Sequence, residues 1–249
     1  MEKLSSVKNA YIQHMRLLAG DAAYRREKRE YVCDGIKLLR EALNCGAEVT
    51  SVLWKETPES VVLPDSCSQY IAAAELYDRV SPMKSSPGPL FSVAVRADGA
   101  ASEYKNAIVL ENVQDPGNVG TVVRTANAFG ISAVILTGAC ADLYSFKTAR
   151  ATMGAIFRQR VEYVPLENLS GFLSSRGLKL YGAALGEDSS DIRGIDVKHS
   201  AVAVGSEGHG LSAELLAMCE KSVIIPMSPE SESLNAAVAA SVIMWEMSR

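Results

Sequence analysis

The sequence predicts an α/β fold whose C-terminal part is a parallel sheet, and three observations predict it. Five runs after residue 105 are apolar from end to end, helix-patterned stretches separate them, and loops rich in Gly, Pro and Asn leave their carboxyl ends. A strand with one wet face alternates apolar and polar residues. An unbroken apolar run is expected of a strand covered by helices on both sides. Open sheets of this kind place ligands at the carboxyl ends of their strands, so the three loops there are the candidate functional segments.

From the N-terminus, charge is the first signal. Residues 1–40 hold nine Lys and Arg against five Asp and Glu, and the remainder holds sixteen against twenty-four, so a chain of net charge −4 begins with a basic segment. Its densest run is YRREKRE, where Arg25, Arg26, Lys28 and Arg29 stand beside Tyr24. The run reads either as a solvated helix face with internal Arg–Glu pairs or as an RNA-gripping segment, because phosphate contacts supply affinity independent of base sequence. A helix follows at Ile36–Leu43. Short strands are expected at Ser51–Lys55, Ser60–Leu63 and Gln69–Ala73. The Pro- and Ser-rich stretch Ser81–Leu90 predicts a loop and Arg96–Asn106 a linker, which divides the chain into domains 1–96 and 105–249.

The apolar runs begin at Ala107, Ala133, Leu178, Ala201 and Ser222. After the first, Asp115-Pro116-Gly117 forms a turn and Asn118 is the expected N-cap of a helix. On that helix Val119, Val122, Val123, Ala126 and Phe129 share a face, with Gly120, Arg124 and Asn127 opposite, and Gly130 ends it in a left-handed cap. Arg124 is thus a surface arginine or a site residue, and the glycine-cleared face beside it favours a site.

The second loop, in AVGSEGHGLSAE, carries Gly205, Gly208 and Gly210 at relative positions 1, 4 and 6. A dinucleotide fingerprint needs 1, 3 and 6, a P-loop needs Lys-Ser or Lys-Thr after the glycines, and the chain left after Gly210 is too short for a βαβαβ half. The loop therefore bends for some other ligand. Glu207 either approaches that ligand or favours the positive end of a helix starting near Leu211 or Ser212. His209 reads as an exposed loop residue. In the third segment a strand runs into Pro226, a polar loop follows, and Ser231 or Ser233 caps a long helix bearing Ala236, Ala237, Ala239, Ala240 and Ser241, suited to close packing in a core or a dimer interface.

Composition excludes several classes. With 48% hydrophobic and 22% charged residues the chain is ordinary globular material, and its apolar run near the C-terminus, AAVAASVIMW, falls short of the roughly 18 residues of a membrane span. The first residues lack a signal-peptide core. Five scattered cysteines without a CxxC pair, far from the three histidines, predict a reduced cytoplasmic protein with no metal site.

Together NVGTVVRT (118–125), GSEGHGL (205–211), and IPM (225–227) followed by SLNAAVA (233–239) resemble, in order and spacing, the three motifs of the SpoU/TrmH family of RNA ribose methyltransferases, over residues 105–249. The resemblance implies a C-terminal domain with a deep trefoil knot, of the SPOUT type, that holds S-adenosylmethionine bent. YVCDGIKLLREAL (31–43) resembles the small ribosomal-protein-like α/β RNA-binding domain that precedes it in many members. It further implies cofactor contacts at Gly205, Gly210, Ile225, Met227 and Leu234, and a reaction centre of Asn118, Arg124, Glu207, Ser233 and Asn235. Pro229 and Ala236-Ala237 depart from the family pattern. The expected activity is methylation of a ribose 2′-hydroxyl in ribosomal RNA by a homodimer joined through the C-terminal domain. A tRNA enzyme of the same family and a non-catalytic ribosome-assembly factor are the alternatives.

Overall fold

The computed structural model describes residues 1–96, 104–186, 188–228 and 233–249. Its strands are β1 (Glu2–Leu4), β2 (Glu30–Asp34), β3 (Val49–Lys55), β4 (Ser68–Ala72), β5 (Leu90–Ala94), β6 (Ala107–Glu111), β7 (Ala133–Thr137), β8 (Val161–Tyr163), β9 (Lys179–Ala183), β10 (Ser190–Asp191), β11 (Ser200–Val204) and β12 (Lys221–Ile224). Its helices are α1 (Ala10–Gly20), α2 (Ala22–Lys28), α3 (Ile36–Asn44), α4 (Ala74–Val80), α5 (Pro116–Phe129), α6 (Phe146–Ala151), α7 (Leu166–Ser174), α8 (Ala213–Ala217) and α9 (Ala236–Ser248), with two short 3-10 turns. The chain forms two compact units, Met1–Asp98 with Asp142–Phe157, and Gly99–Ala141 with Arg158–Arg249.

The first unit is built on a mixed sheet in the order β1-β4-β3-β5-β2, in which β3 runs parallel to β4 and antiparallel to β5. Apolar clusters fill both of its faces, and both take residues from the distant segment Asp142–Phe157. Phe146 packs with Ile12, Met15, Leu18 and Tyr77, and Phe157 and Ala149 pack with Leu39, Trp54 and Phe91. That segment lies beyond residue 105, so the unit is assembled from two stretches of sequence.

Arg25 explains how the segment is held. Only 5% exposed, it donates from Nε and Nη2 to Asp142 Oδ2 at 3.1 and 2.6 Å and from Nη1 to the Leu18 carbonyl at 2.7 Å. Of the four basic residues singled out in the sequence, Arg25 is therefore corrected from a surface contact to an internal clamp. Three of its five N–H donors are committed inside the protein, and at 5% exposure the guanidinium is not presented to a phosphate at the surface. Arg26, Lys28 and Arg29 are exposed. Residues Ser60–Leu63 form no strand. Val61 and Leu63 pack against the core while Val62 is 94% exposed, so the alternation is real, but the segment pairs with no strand of the sheet and Pro64 follows it.

The second unit holds a seven-stranded sheet in the order β10-β12-β9-β11-β6-β7-β8, every pair parallel. Both faces are covered, as the apolar runs require. Ala107, Val109, Ala201, Ala203 and Leu180 pack with Leu169 and Leu173 of α7 and with Leu215 of α8. The intervening residues Ile108, Leu110 and Val202 are fully buried, and α5 and α9 bury Val119, Val122, Val123, Ala126, Ala240, Ile243 and Met244. Ser241 of α9 donates to Thr125 of α5 at 3.4 Å. The small residues of α9 thus serve close helix contact.

Candidate active site

Three loops leave the carboxyl ends of β6, β11 and β12, and each is fixed by its own local chemistry. At the first, Asp115 rather than Asn118 is the N-cap of α5, its Oδ1 accepting from the Asn118 amide at 2.8 Å. Pro116 follows as the first helical residue, where its missing N–H leaves no donor unpaired. The helix starts three residues earlier than the sequence suggested, which frees the Asn118 side chain. Gly130 takes the left-handed cap as expected, with φ 68°.

The glycine loop closes on its own root. The Gly210 amide donates to the Ser206 carbonyl at 2.9 Å, and a Cβ at Gly205 would overlap the Gly210 carbonyl and the Leu211 amide. Only glycine allows that approach. Beyond it Ser212 caps α8, donating its amide to Glu111 Oε2 at 2.7 Å and its hydroxyl to Oε1 at 2.6 Å, while its Oγ accepts from the Leu215 amide. Glu111, 1% exposed at the end of β6, thereby ties the second loop to the first. Nearby, burial pushes the Cys219 thiol up to about 11, with a smaller push from the Glu111 carboxylate. The third loop ends at Asn235, whose Oδ1 caps α9 by accepting from Ala237 and Val238 at 3.0 and 3.2 Å. Ser233 is exposed and caps nothing, and Ser231 and Pro229 lie outside the described residues.

These caps converge on Glu207. Its Oε1 accepts from Asn118 Nδ2 at 2.9 Å, from the Ala236 amide at 3.4 Å and closely from Asn235 Nδ2, which also donates to Asn118 Oδ1 at 3.2 Å. Its Oε2 takes no hydrogen bond among the described residues. The structure thus brings together three of the residues named from sequence, one from each loop. Arg124 lies on α5, exposed, with no partner among the described residues.

The remaining residues divide between two cavities. One of about 130 Å³ is lined by Ile225, Met227, Leu234 and Ser233 with Ala183, Leu185 and Val223. The other, of about 480 Å³, is lined by the Gly210 loop, Asn118 and the segment Asn112–Asp115. Gly205 lines neither and acts as the root of its loop. Sequence reasoning missed Glu111, although a carboxylate closing the apolar run AIVLE was a signal, since a buried charge requires partners. No metal-binding cluster occurs among the described residues, all five cysteines are free thiols, and no described helix is long and apolar enough to cross a membrane.

Residues 105–245 match the SpoU rRNA Methylase family. The chain is 29% identical to the 23S rRNA (guanosine(2553)-2'-O)-methyltransferase RlmP of Bacillus subtilis over 99% of both chains. It is 30% identical to a putative TrmH family tRNA/rRNA methyltransferase of Staphylococcus saprophyticus, over 82% of this chain and 80% of that one. Among solved structures, an AdoMet-bound rRNA methyltransferase from Sinorhizobium meliloti superposes with a TM-score of 0.86 at 25% identity, covering 99% of this chain and 97% of the other. The SpoU methyltransferase AviRb from Streptomyces viridochromogenes, in complex with AdoMet, gives 0.85 at 25% identity over 97% and 98%.

Proposed function

The chain belongs to the SpoU rRNA methylase family, and from that premise we propose that it is an S-adenosylmethionine-dependent RNA methyltransferase acting on a ribose 2′-hydroxyl of ribosomal RNA. The observation that carries this reading is the Asn118–Glu207–Asn235 network, which fixes one carboxylate oxygen with three donors and leaves the other without a hydrogen bond among the described residues, Asn118 standing on the same helix, α5, as the exposed Arg124.

The cofactor fits what is present. The small cavity is apolar on nearly every side, suited to an adenine ring or a thioether chain, and we assign Ile225, Met227 and Leu234 to it; Gly205 and Gly210, also proposed to contact the cofactor, do not line this cavity, Gly205 rooting the glycine loop and Gly210 lining the larger cavity. When bound, S-adenosylmethionine supplies a methyl group on a cationic sulfur. Glu207 Oε2 accepts from the ribose hydroxyl and orients its oxygen, and Asn118 and Asn235 keep the carboxylate from rotating away. As the ribose oxygen takes the methyl group its proton passes to Glu207 Oε2, and Arg124, permanently cationic, works with an RNA phosphate to stabilise the negative charge that develops on that oxygen. Ser233 lines the cofactor side.

Other features support the finer points. Residues up to 96, with exposed Arg26, Lys28 and Arg29, form the proposed RNA-gripping unit. Val238, Val242 and Trp245, 48%, 37% and 52% exposed, form one stripe of α9 at a spacing of four and three residues, as a homodimer contact through the C-terminal domain requires. The passage of the chain from β11 across β9 to β12, with α9 returning against β11, fits a C-terminal trefoil knot. Free thiols fit a reducing cytoplasm.

The test is transfer of labelled methyl groups to bacterial large-subunit rRNA, read as alkali-resistant linkages, by the wild-type chain and by Arg124→Ala. The wild type is expected to transfer. The variant is expected to lose transfer by at least about a hundredfold while binding S-adenosylhomocysteine normally. Near-normal turnover by Arg124→Ala removes this residue from the mechanism. Label that alkali releases overturns the ribose reading.

A further inference from the structure

The larger cavity, of about 480 Å³, shares no lining residue with the apolar slot assigned to the cofactor. One corner is formed by Glu207, which holds the ribose hydroxyl in the reading above, on which this inference rests, and by Asn118, which holds that carboxylate. Whatever fills the cavity therefore lies within a few bonds of that hydroxyl. In a nucleotide the 2′-carbon is bonded to the carbon that carries the base, so the base is the group that reaches it.

The lining decides between base and phosphate. It carries the carboxylates Asp115 and Glu207 and no lysine or arginine, so an anion is repelled. Val113 and Leu211 offer apolar surface for a ring face. Gln114 and His209, both exposed and without side-chain partners among the described residues, offer donors and acceptors for a ring edge. The walls are rigid enough to discriminate. Asn112 holds the Ala139 amide at 2.8 Å and Ala141 holds the Val113 carbonyl at 2.9 Å, while the opposite wall is closed by the Ser206–Gly210 bridge and by Glu111 on Ser212.

We propose that this cavity receives the base of the nucleotide being methylated, turned out of its stack, and that Gln114 and His209 read its edge. Enzymes that act on an extruded nucleotide identify it by hydrogen bonds to the exposed edge and by contact with the ring faces. His209 then has a role that its loop position in the sequence did not suggest.

The experiment first locates the methylated nucleotide as the alkali-resistant linkage formed in bacterial large-subunit rRNA by the wild-type chain. Four transcripts of the surrounding segment, carrying A, C, G or U at that position, are then compared by single-turnover methylation. The wild type is expected to prefer one base by tenfold or more. Gln114→Ala and His209→Ala are each expected to narrow that preference several-fold, with S-adenosylhomocysteine affinity measured by calorimetry unchanged. Equal transfer to all four transcripts by the wild type, or an unchanged preference in both variants, overturns the cavity assignment alone. No transfer to any RNA by the wild-type chain overturns the methyltransferase reading and this inference with it.

Discussion

Glu111→Ala tests whether a buried carboxylate holds the glycine loop in place. The carboxylate is 1% exposed and accepts two hydrogen bonds from Ser212, at 2.7 and 2.6 Å. Bonds to a charged group contribute about 1.5–3 kcal/mol each, and truncation also leaves the Ser212 amide unpaired beside a void, so a cost of about 3–4 kcal/mol is expected. Glu111→Gln is milder. It keeps one acceptor, loses one bond and removes a charge that was costly to bury, so about 1–2 kcal/mol is expected. Ser212→Ala removes the same bond from the other side, together with the cap on Leu215. The double variant Glu111→Gln with Ser212→Ala should therefore cost clearly less than the two single variants added together. Urea unfolding measures all of these costs, and single-turnover methylation should fall in the same order because the loop that carries Glu207 begins six residues before Ser212. A Glu111→Ala protein within about 0.5 kcal/mol of wild type, with unaltered turnover, would refute the clamp.

Four further tests have distinct signatures. Arg25→Ala should destabilise by about 2 kcal/mol in thermal unfolding, because it removes the bonds to the Leu18 carbonyl and to Asp142, whose carboxylate is 34% exposed and keeps the Tyr144 amide. Replacing Arg26, Lys28 and Arg29 together by Ala should leave stability nearly unchanged but flatten the salt dependence of RNA binding, measured by filter retention, and an unchanged slope would make the run a solvated face only. Burial raises the thiols of Cys67 and Cys219 to about 11, so at pH 8 both should alkylate roughly a hundredfold more slowly than a free thiol and at the ordinary rate in urea, as mass spectrometry of the labelled peptides would show. Burial pushes the Glu30 carboxyl up, but hydrogen bonds from His14, Thr50 and Ser92 outweigh it and hold the group below its usual range. The native state then releases this proton more readily than the unfolded chain, so Glu30 stabilises above the usual glutamate range and that contribution is lost as pH falls through it. Glu30→Gln should remove that part of the acid-side decline in an unfolding series, and an unaltered pH profile would count against it.

Much of the second unit was legible because two-sided burial leaves an unmistakable pattern. All five apolar runs became strands of one parallel sheet. β8 was missed because Val161, Glu162 and Tyr163 lie at the sheet edge and are only partly buried or exposed, so they show no apolar run. The helix starts were misplaced for one shared reason. Asn118, and Ser231 or Ser233, were the expected caps, but Asp115 and Asn235 hold the cap positions, and a single sequence does not say which of several candidate side chains faces its own helix. Arg25 was misjudged because the charge that captures it, Asp142, stands 117 positions away. Long-range partners are invisible to composition and periodicity.

The two-part construction of the first unit has a consequence for how the chain is made. About 60 residues separate Asp98 from the end of the returning segment at Phe157, and at 5–20 residues per second the ribosome needs roughly 3–12 s to supply them. Until then the pockets that receive Phe146, Ala149 and Phe157 stand open and Arg25 has no counter-ion, so the earliest part of the chain to emerge waits for the later part before it can close. A fragment cut at residue 96 would carry that wait permanently and should be prone to aggregate. The same geometry means that a lesion at Phe146 or Asp142, positions that sequence order gives to the C-terminal half, would be felt first as a folding defect in the unit proposed to grip RNA.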